Sequence, residues 1–214
     1  MQIAIIGAGS VGGTLGTAWA GKGHQIIYGA RNVNDEKVKK LVSANPGKIS
    51  ATTIPDAVAQ CNVVLLATHW QGVRETLQSA GNFSGKVLID AINPLEMGPA
   101  FLEKGLLVGY TTSAGEQIAQ WAKGAKVVKA FNTIGAMHMP NPKFSGQIAT
   151  MFICGDDADA KKTVKQLSDE LGFETVDAGP LMAARLLEPL AMLWMQLAFG
   201  ANVGTNFAFK IIRK

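Results

Sequence analysis

The stretch that most constrains this chain stands at its beginning. Met1-Gln2-Ile3-Ala4-Ile5-Ile6 runs straight into Gly7-Ala8-Gly9-Ser10-Val11-Gly12-Gly13. An apolar run followed at once by G-x-G-x-x-G predicts a strand, a tight turn and a helix, the opening of a Rossmann unit. Gly7 permits the turn, Gly9 lets a pyrophosphate approach bare backbone, and Gly12 lets the helix lie close on the strand. With Ala8, Ser10 and Val11 between them, these glycines form a cradle. The free N–H groups and positive end of the following helix favour a phosphate there.

The same unit indicates which dinucleotide is held. A second strand, residues 25–28, ends in Gly29-Ala30-Arg31-Asn32. Sites preferring NAD place Asp or Glu at that tip, about 20 residues beyond the glycines, to accept from the ribose 2′-OH. Here no carboxylate precedes Asp35, and Arg31 stands in its place. A guanidinium matches a 2′-phosphate bidentately, with Asn32 as a second donor and Lys37 as a second cation. NADP is the expected cofactor.

Strand and helix patterns then alternate as they do in a doubly wound parallel sheet covered on both faces. The expected strands after the second lie at 50–53, 62–67, 86–90 and 126–131, with a closing strand-helix-strand section at 148–154, 158–171 and 173–177. Residues 62–67 are continuously apolar, as a strand buried on both faces should be. The expected class is therefore α/β, a Rossmann domain over 1–178 with a short C-terminal helical segment over 179–214. Residues 180–199 read as one helix that is apolar on nearly every side, with only Arg185 and Glu188 charged. Such a helix must be covered all round, which points to a second subunit or a ligand.

Composition narrows the partners. Apolar residues make up 48% of the 214 and charged residues only 17%, which excludes a disordered chain. The net charge of +4 is scattered, no basic run exceeding the pairs Lys39-Lys40, Lys161-Lys162 and Arg213-Lys214. That favours a small anionic ligand over nucleic acid. Cys61 and Cys154 suggest neither a disulfide framework nor a zinc site and read as buried thiols. The first strand begins at once, so no secretory leader is expected. The uncharged stretch 189–209 is interrupted by Gln196, Gly200, Asn202, Gly204, Thr205 and Asn206, short of the ~18–20 apolar residues of a membrane span. A soluble cytoplasmic protein is expected, without membrane or nucleic-acid partners.

In an open parallel sheet the ligand lies beyond the carboxyl ends of the strands, at the switch in strand order. That rule selects Gly7–Gly12, Thr68-His69-Trp70, Ile92-Asn93-Pro94 and Asn132-Thr133-Ile134. Thr68, His69, Asn93, Asn132, Thr133 and Ile134 are expected to ring the nicotinamide. His69 serves equally as an acid or base or as a border of the cofactor, so no catalytic residue is assigned. His24 reads as structural. His138, between Met137 and Met139, lacks Cys or carboxylate neighbours for a metal. No serine-histidine-acid set or Walker lysine is present in the sequence. Direct hydride transfer to another ring needs two flat rings held face to face in a dry pocket.

Four segments carry a family resemblance: Gly7–Gly12, the Gly29–Asn32 tip, Asp90-Ala91-Ile92-Asn93-Pro94-Leu95 and above all Val127-Val128-Lys129-Ala130-Phe131-Asn132-Thr133-Ile134. Together they resemble the NADP oxidoreductases that use the deazaflavin coenzyme F-420. The NADPH-binding domain of the six-transmembrane ferric reductases is similar in the same segments. The resemblance implies that Arg31 and Asn32 grip the 2′-phosphate and that Asn132, Thr133 and Ile134 border the nicotinamide. It also implies that the last helix closes the second ring's pocket and a homodimer. Ala30 departs from the serine often found in relatives, which bears on affinity. The leading expectation is an NADP-dependent oxidoreductase passing hydride between NADP(H) and a deazaflavin or flavin-like ring. The alternatives are an imine or carbonyl reductase with His69 as acid, and a non-catalytic NADP(H)-binding sensor.

Overall fold

The computed structural model describes residues 1–96 and 98–214. The first half runs β1 (Gln2–Ile6), α1 (Ser10–Gly21), β2 (Gln25–Ala30), α2 (Glu36–Ala44), β3 (Ile49–Thr53), α3 (Ile54–Gln60), β4 (Val63–Leu66), α4 (Val73–Ser79) and β5 (Val87–Asp90). Then come α5 (Phe101–Lys104), α6 (Ala114–Trp121), β6 (Lys126–Lys129), a hairpin of β7 (Lys143–Phe144) and β8 (Gln147–Ile148), and β9 (Thr150–Gly155). The chain closes with α7 (Ala158–Asp169), β10 (Glu174–Asp177) and α8 (Ala184–Met195).

β1 shows why these residues make this sheet. Ile3 and Ile5 enter one core cluster with Leu15 and Trp19, whereas Ala4 and Ile6 enter another with Val64, Leu66 and Ile118. Alternate side chains of a strand point to opposite faces, and both faces here are apolar because helices cover both. Local signals set the helix starts. Asp35, Thr53, Ser113 and Asp157 each accept a backbone N–H of the helix they precede, satisfying donors that the helix cannot. On the face that holds Ile3 and Ile5, Trp19 Nε1 donates to the Leu167 carbonyl at 3.1 Å, tying α1 to α7.

The strand order is β10-β9-β6-β5-β4-β1-β2-β3. Its β3-to-β6 portion is the Rossmann order, with the switch between β1 and β4, and every pairing within it is parallel. The sheet is mostly parallel, as expected for a doubly wound unit, and departs from that only at its far edge. β9 pairs antiparallel with β6, and β10 runs parallel to β9. A parallel return needs a crossover, usually a helix. Between β6 and β9 the chain instead has a single 3₁₀ turn (Ala136–His138) and the β7–β8 hairpin.

The C-terminal helical run also differs from its expectation. It opens as a 3₁₀ turn (Leu181–Ala183), continues as α8 and closes in a wider π turn (Gln196–Gly200). Its inner face buries Leu187, Ala191 and Trp194, and also Glu188, which is fully buried. Its outer face is an apolar stripe: Met182, Leu186, Leu193 and Phe199 are 57%, 72%, 48% and 52% exposed. By length and composition, Leu181–Gly200 does reach what a membrane span requires. The run starts before the stretch weighed in the sequence and ends at Gly200, so of those interruptions only Gln196 and Gly200 fall within it. Its inner face is nevertheless fastened to the domain by ion pairs from Arg185 and Glu188.

Candidate active site

The glycine cradle forms as the sequence implies. Gly7 has φ of +115°, and a methyl there would overlap the Ala67 carbonyl. A methyl on Gly12 would overlap the Gly7 carbonyl oxygen, so helix and turn meet at backbone contact. A methyl on Gly9 meets nothing within 4 Å. Gly9 is also the N-cap of α1 and offers no side-chain cap. The first-turn N–H groups, from Ser10, Val11 and Gly12, thus face an open mouth beside Ala8. Bare donors, open space and a helix N-terminus together fit a dinucleotide pyrophosphate.

Arg31 follows directly on β2 and is exposed. Among the described residues it joins no ion pair, leaving its guanidinium free for a phosphate. It lines a cleft of about 480 Å³ with Ile54, Gly72, Glu75, Thr76 and Ser79, beyond the ends of β2 and β4. Asn32 Oδ1 accepts from the Asn34 N–H at 3.0 Å, so part of its amide shapes the turn. Lys37 is exposed on the first turn of α2 and is not one of the cleft's walls.

The residues expected at the nicotinamide end lie at the tips of β4, β5 and β6. Thr68 lies beside Gly7, and its hydroxyl is buried without a partner among the described residues. His69 is exposed. Asn132 and Asn93 lock together: Asn132 Nδ2 donates to Asn93 Oδ1 at 3.1 Å, and Asn93 Nδ2 donates to the Asn132 carbonyl at 3.1 Å. Asn132 Nδ2 also donates to the Leu187 carbonyl of α8 at 3.0 Å, while Asn132 Oδ1 is buried and unpartnered. An unmet buried acceptor costs ~1–3 kcal/mol, and the orphaned oxygens of Thr68 and Asn132 fit a ligand that brings donors. Thr133 and Ile134 are buried alongside. Phe131 precedes them with φ of +64°, a strained value for a bulky residue. Trp19 and Phe173 hold its ring edge-on at 5.6 and 6.3 Å.

Behind these tips lies a cluster that local patterns do not reveal. Lys129 Nζ contacts Asp90 Oδ2 at 2.8 Å, Glu188 Oε1 at 2.7 Å and the Ile92 carbonyl at 2.5 Å, and all three charged side chains are fully buried. Glu188 further accepts from the N–H groups of Ala114 and Gly115 at 3.0 and 3.1 Å. Burial pulls the Lys129 ammonium down, but the two carboxylates outweigh it and hold it above the usual lysine value. Burial pushes the Glu188 carboxyl up, against the pull of Lys129. The available signal was a charged residue set among apolar neighbours at Asp90, Lys129 and Glu188. Elsewhere, His24 Nε2 bonds Glu170 at 2.6 Å and His138 Nε2 bonds the Thr205 carbonyl at 2.8 Å. Cys61 and Cys154 are buried free thiols.

The model of the family described as NADP oxidoreductase, coenzyme F420-dependent, matches residues 2–94. A crystal structure of a candidate F420-dependent NADP-reductase from Arthrobacter sp. FB24 superposes with a TM-score of 0.87 at 34% identity, covering 99% of both chains. This chain belongs to the coenzyme F420-dependent NADP oxidoreductase family. The F420-dependent NADP reductase of Methanothermobacter thermautotrophicus is 29% identical over 210 residues, 92% of this chain and 89% of that protein. Metalloreductase STEAP3 of Rattus norvegicus is 29% identical over 194 residues, 90% of this chain but 37% of the longer protein. The chain thus spans a little over a third of the length of the metalloreductases it matches.

Proposed function

We propose that this member of the family transfers hydride between NADP(H) and a flat ring acceptor of the deazaflavin or flavin type. When bound, NADPH supplies a hydride from C4 of its nicotinamide. The glycine cradle and the first turn of α1 hold the pyrophosphate, and Arg31 holds the 2′-phosphate with Asn32 and Lys37 beside it. Thr68, His69, Asn93, Asn132, Thr133 and Ile134 border the ring.

The observation that carries the acceptor class is an apolar rim at the β5 and β6 tips. Leu107, 47% exposed, donates its N–H to the Pro94 carbonyl at 2.8 Å. Met137, 59% exposed, follows the β6 tip, and a methyl on Gly135 would stand 3.0 Å from the Trp194 ring. Phe199 packs edge-on against both Phe101 and Trp194, each at 6.1 Å. Apolar and aromatic walls beside a nicotinamide suit a flat ring and exclude water. The family name and that of the Methanothermobacter relative also support a deazaflavin acceptor. Anaerobic oxidation of NADPH with a 5-deazaflavin, FMN and a small cyclic imine tests this. Turnover with the ring acceptors is expected, and reduction of the imine alone would overturn it. Binding of NADPH without any turnover would instead indicate a sensor.

Ring-to-ring transfer needs no general acid, so His69→Ala is expected to retain most of its rate with the deazaflavin. A loss of ~10²–10⁴-fold, the usual contribution of general acid–base catalysis, would favour an imine or carbonyl reductase.

The proposal extends to assembly and location. Residues 179–214 act as the segment closing the pocket and a homodimer, in a soluble cytoplasmic protein. Covering a leucine-sized side chain is worth ~1.5–3 kcal/mol, and the stripe of Met182, Leu186, Leu193 and Phe199 leaves several uncovered. Light scattering is expected to give a dimer for the native chain and a monomer for Leu186→Glu/Leu193→Glu. A native chain that stays monomeric at micromolar concentration would contradict this.

A further inference from the structure

The geometry points to Lys129 and Glu188 as positioning residues: their buried cluster with Asp90 sets the Asn93–Asn132 pair, and through it the orientation of the nicotinamide. This rests on the dinucleotide reading above.

Each anchor of the asparagine pair is next in sequence to the cluster. Asn132 donates to the carbonyl of Leu187, the neighbour of Glu188. Asn93 follows Ile92, whose carbonyl accepts from Lys129 and whose N–H donates to Asp90 Oδ1 at 2.9 Å. Asn132 itself lies on the short tip that leaves Lys129 through the left-handed turn at Phe131. One ammonium therefore fixes the ends of β5 and β6 relative to α8, and Glu188 adds the start of α6.

The cluster is closed to substrate. An ammonium has three donors, and all three are used, on Asp90, Glu188 and Ile92. Both oxygens of Glu188 are engaged by backbone N–H groups, and one also by Lys129. Nothing is left to exchange a proton with a ligand, which leaves geometry as the role. Fully satisfied buried polar networks rigidify one arrangement. For stability alone, well-packed apolar residues would often serve as well as a buried charge cluster.

The test compares two ligands on native protein and Glu188→Gln. Glutamine keeps the shape and leaves Lys129 paired with Asp90. Adenosine 2′,5′-bisphosphate reads the Arg31 end alone, and NADPH reads both ends. The variant is expected to bind the bisphosphate as the native protein does but NADPH about tenfold more weakly, a ~1.4 kcal/mol loss. The fluorescence of bound NADPH is expected to lose intensity and anisotropy as the ring becomes free. If Glu188→Gln does not fold, Lys129→Met/Glu188→Gln, which removes the ammonium together with a carboxylate, goes through the same titrations. A folded variant that keeps native NADPH affinity and emission overturns the inference, and so does an equal loss for both ligands. Native protein that binds neither ligand would overturn the NADP reading itself, a separate result.

Discussion

Replacing Lys129 with methionine is expected to lower the melting temperature by roughly 6–20 °C. The substitution strands Asp90 and Glu188, two fully buried carboxylates, without their shared ammonium. Breaking a buried ion pair by removing one partner costs ~3–5 kcal/mol, and each kcal/mol is worth ~2–4 °C in a domain of this size. The deficit should depend on pH with a definite sign. Burial already raises the Glu188 carboxyl, and losing Lys129 raises it further. The unfolded chain ionises first, from about pH 4.3 for a glutamate. The penalty on folding therefore grows as pH rises above that value and shrinks on acidification. Thermal melts of both proteins near pH 5 and pH 8 check this, with the larger gap expected at pH 8. A variant melting within a degree or two of the native protein at both would show that the cluster is not what holds α8 to the sheet.

Arg31→Ala is expected to weaken NADPH binding by ~10- to 100-fold while leaving NADH nearly unchanged. A charge-assisted hydrogen bond contributes ~1.5–3 kcal/mol, and ~1.4 kcal/mol is tenfold in affinity. Arg31 is exposed, so salt should narrow the difference. NADH lacks the 2′-phosphate, and its binding reports any general damage to the β2 tip. Calorimetric titration of both nucleotides into both proteins separates these effects. Equal losses for the two, or no loss for NADPH, would contradict the assignment of NADP.

Much of the fold, and the glycine turn and Arg31 tip of the candidate site, were legible because their signals are local. The run Gln2–Ile6, the glycines after it and the Arg31 tip each declare themselves within a few residues, and β1 to β6 assemble as those patterns require. The direction of β9 was not legible, because nothing in its own residues says whether the chain crosses over or doubles back. The Asp90–Lys129–Glu188 cluster was missed for a related reason. Glu188 looks like the polar side of a helix until the sheet brings Lys129 to 2.7 Å from it. The lock between Asn93 and Asn132 likewise joins two strand tips that only the sheet makes neighbours. The positive φ of Phe131 has no local signal either, since turns of that kind are normally marked by glycine or asparagine.

The most direct test of hydride transfer to a ring uses NADPH deuterated at C4 of the nicotinamide, in both stereoisomers, with a 5-deazaflavin under anaerobic conditions. The reduced deazaflavin is expected to carry the label from one stereoisomer and not from the other, as two rings held in one geometry require. A reduced deazaflavin without label from either, or a protein that passes the label only to a small imine, would contradict the account.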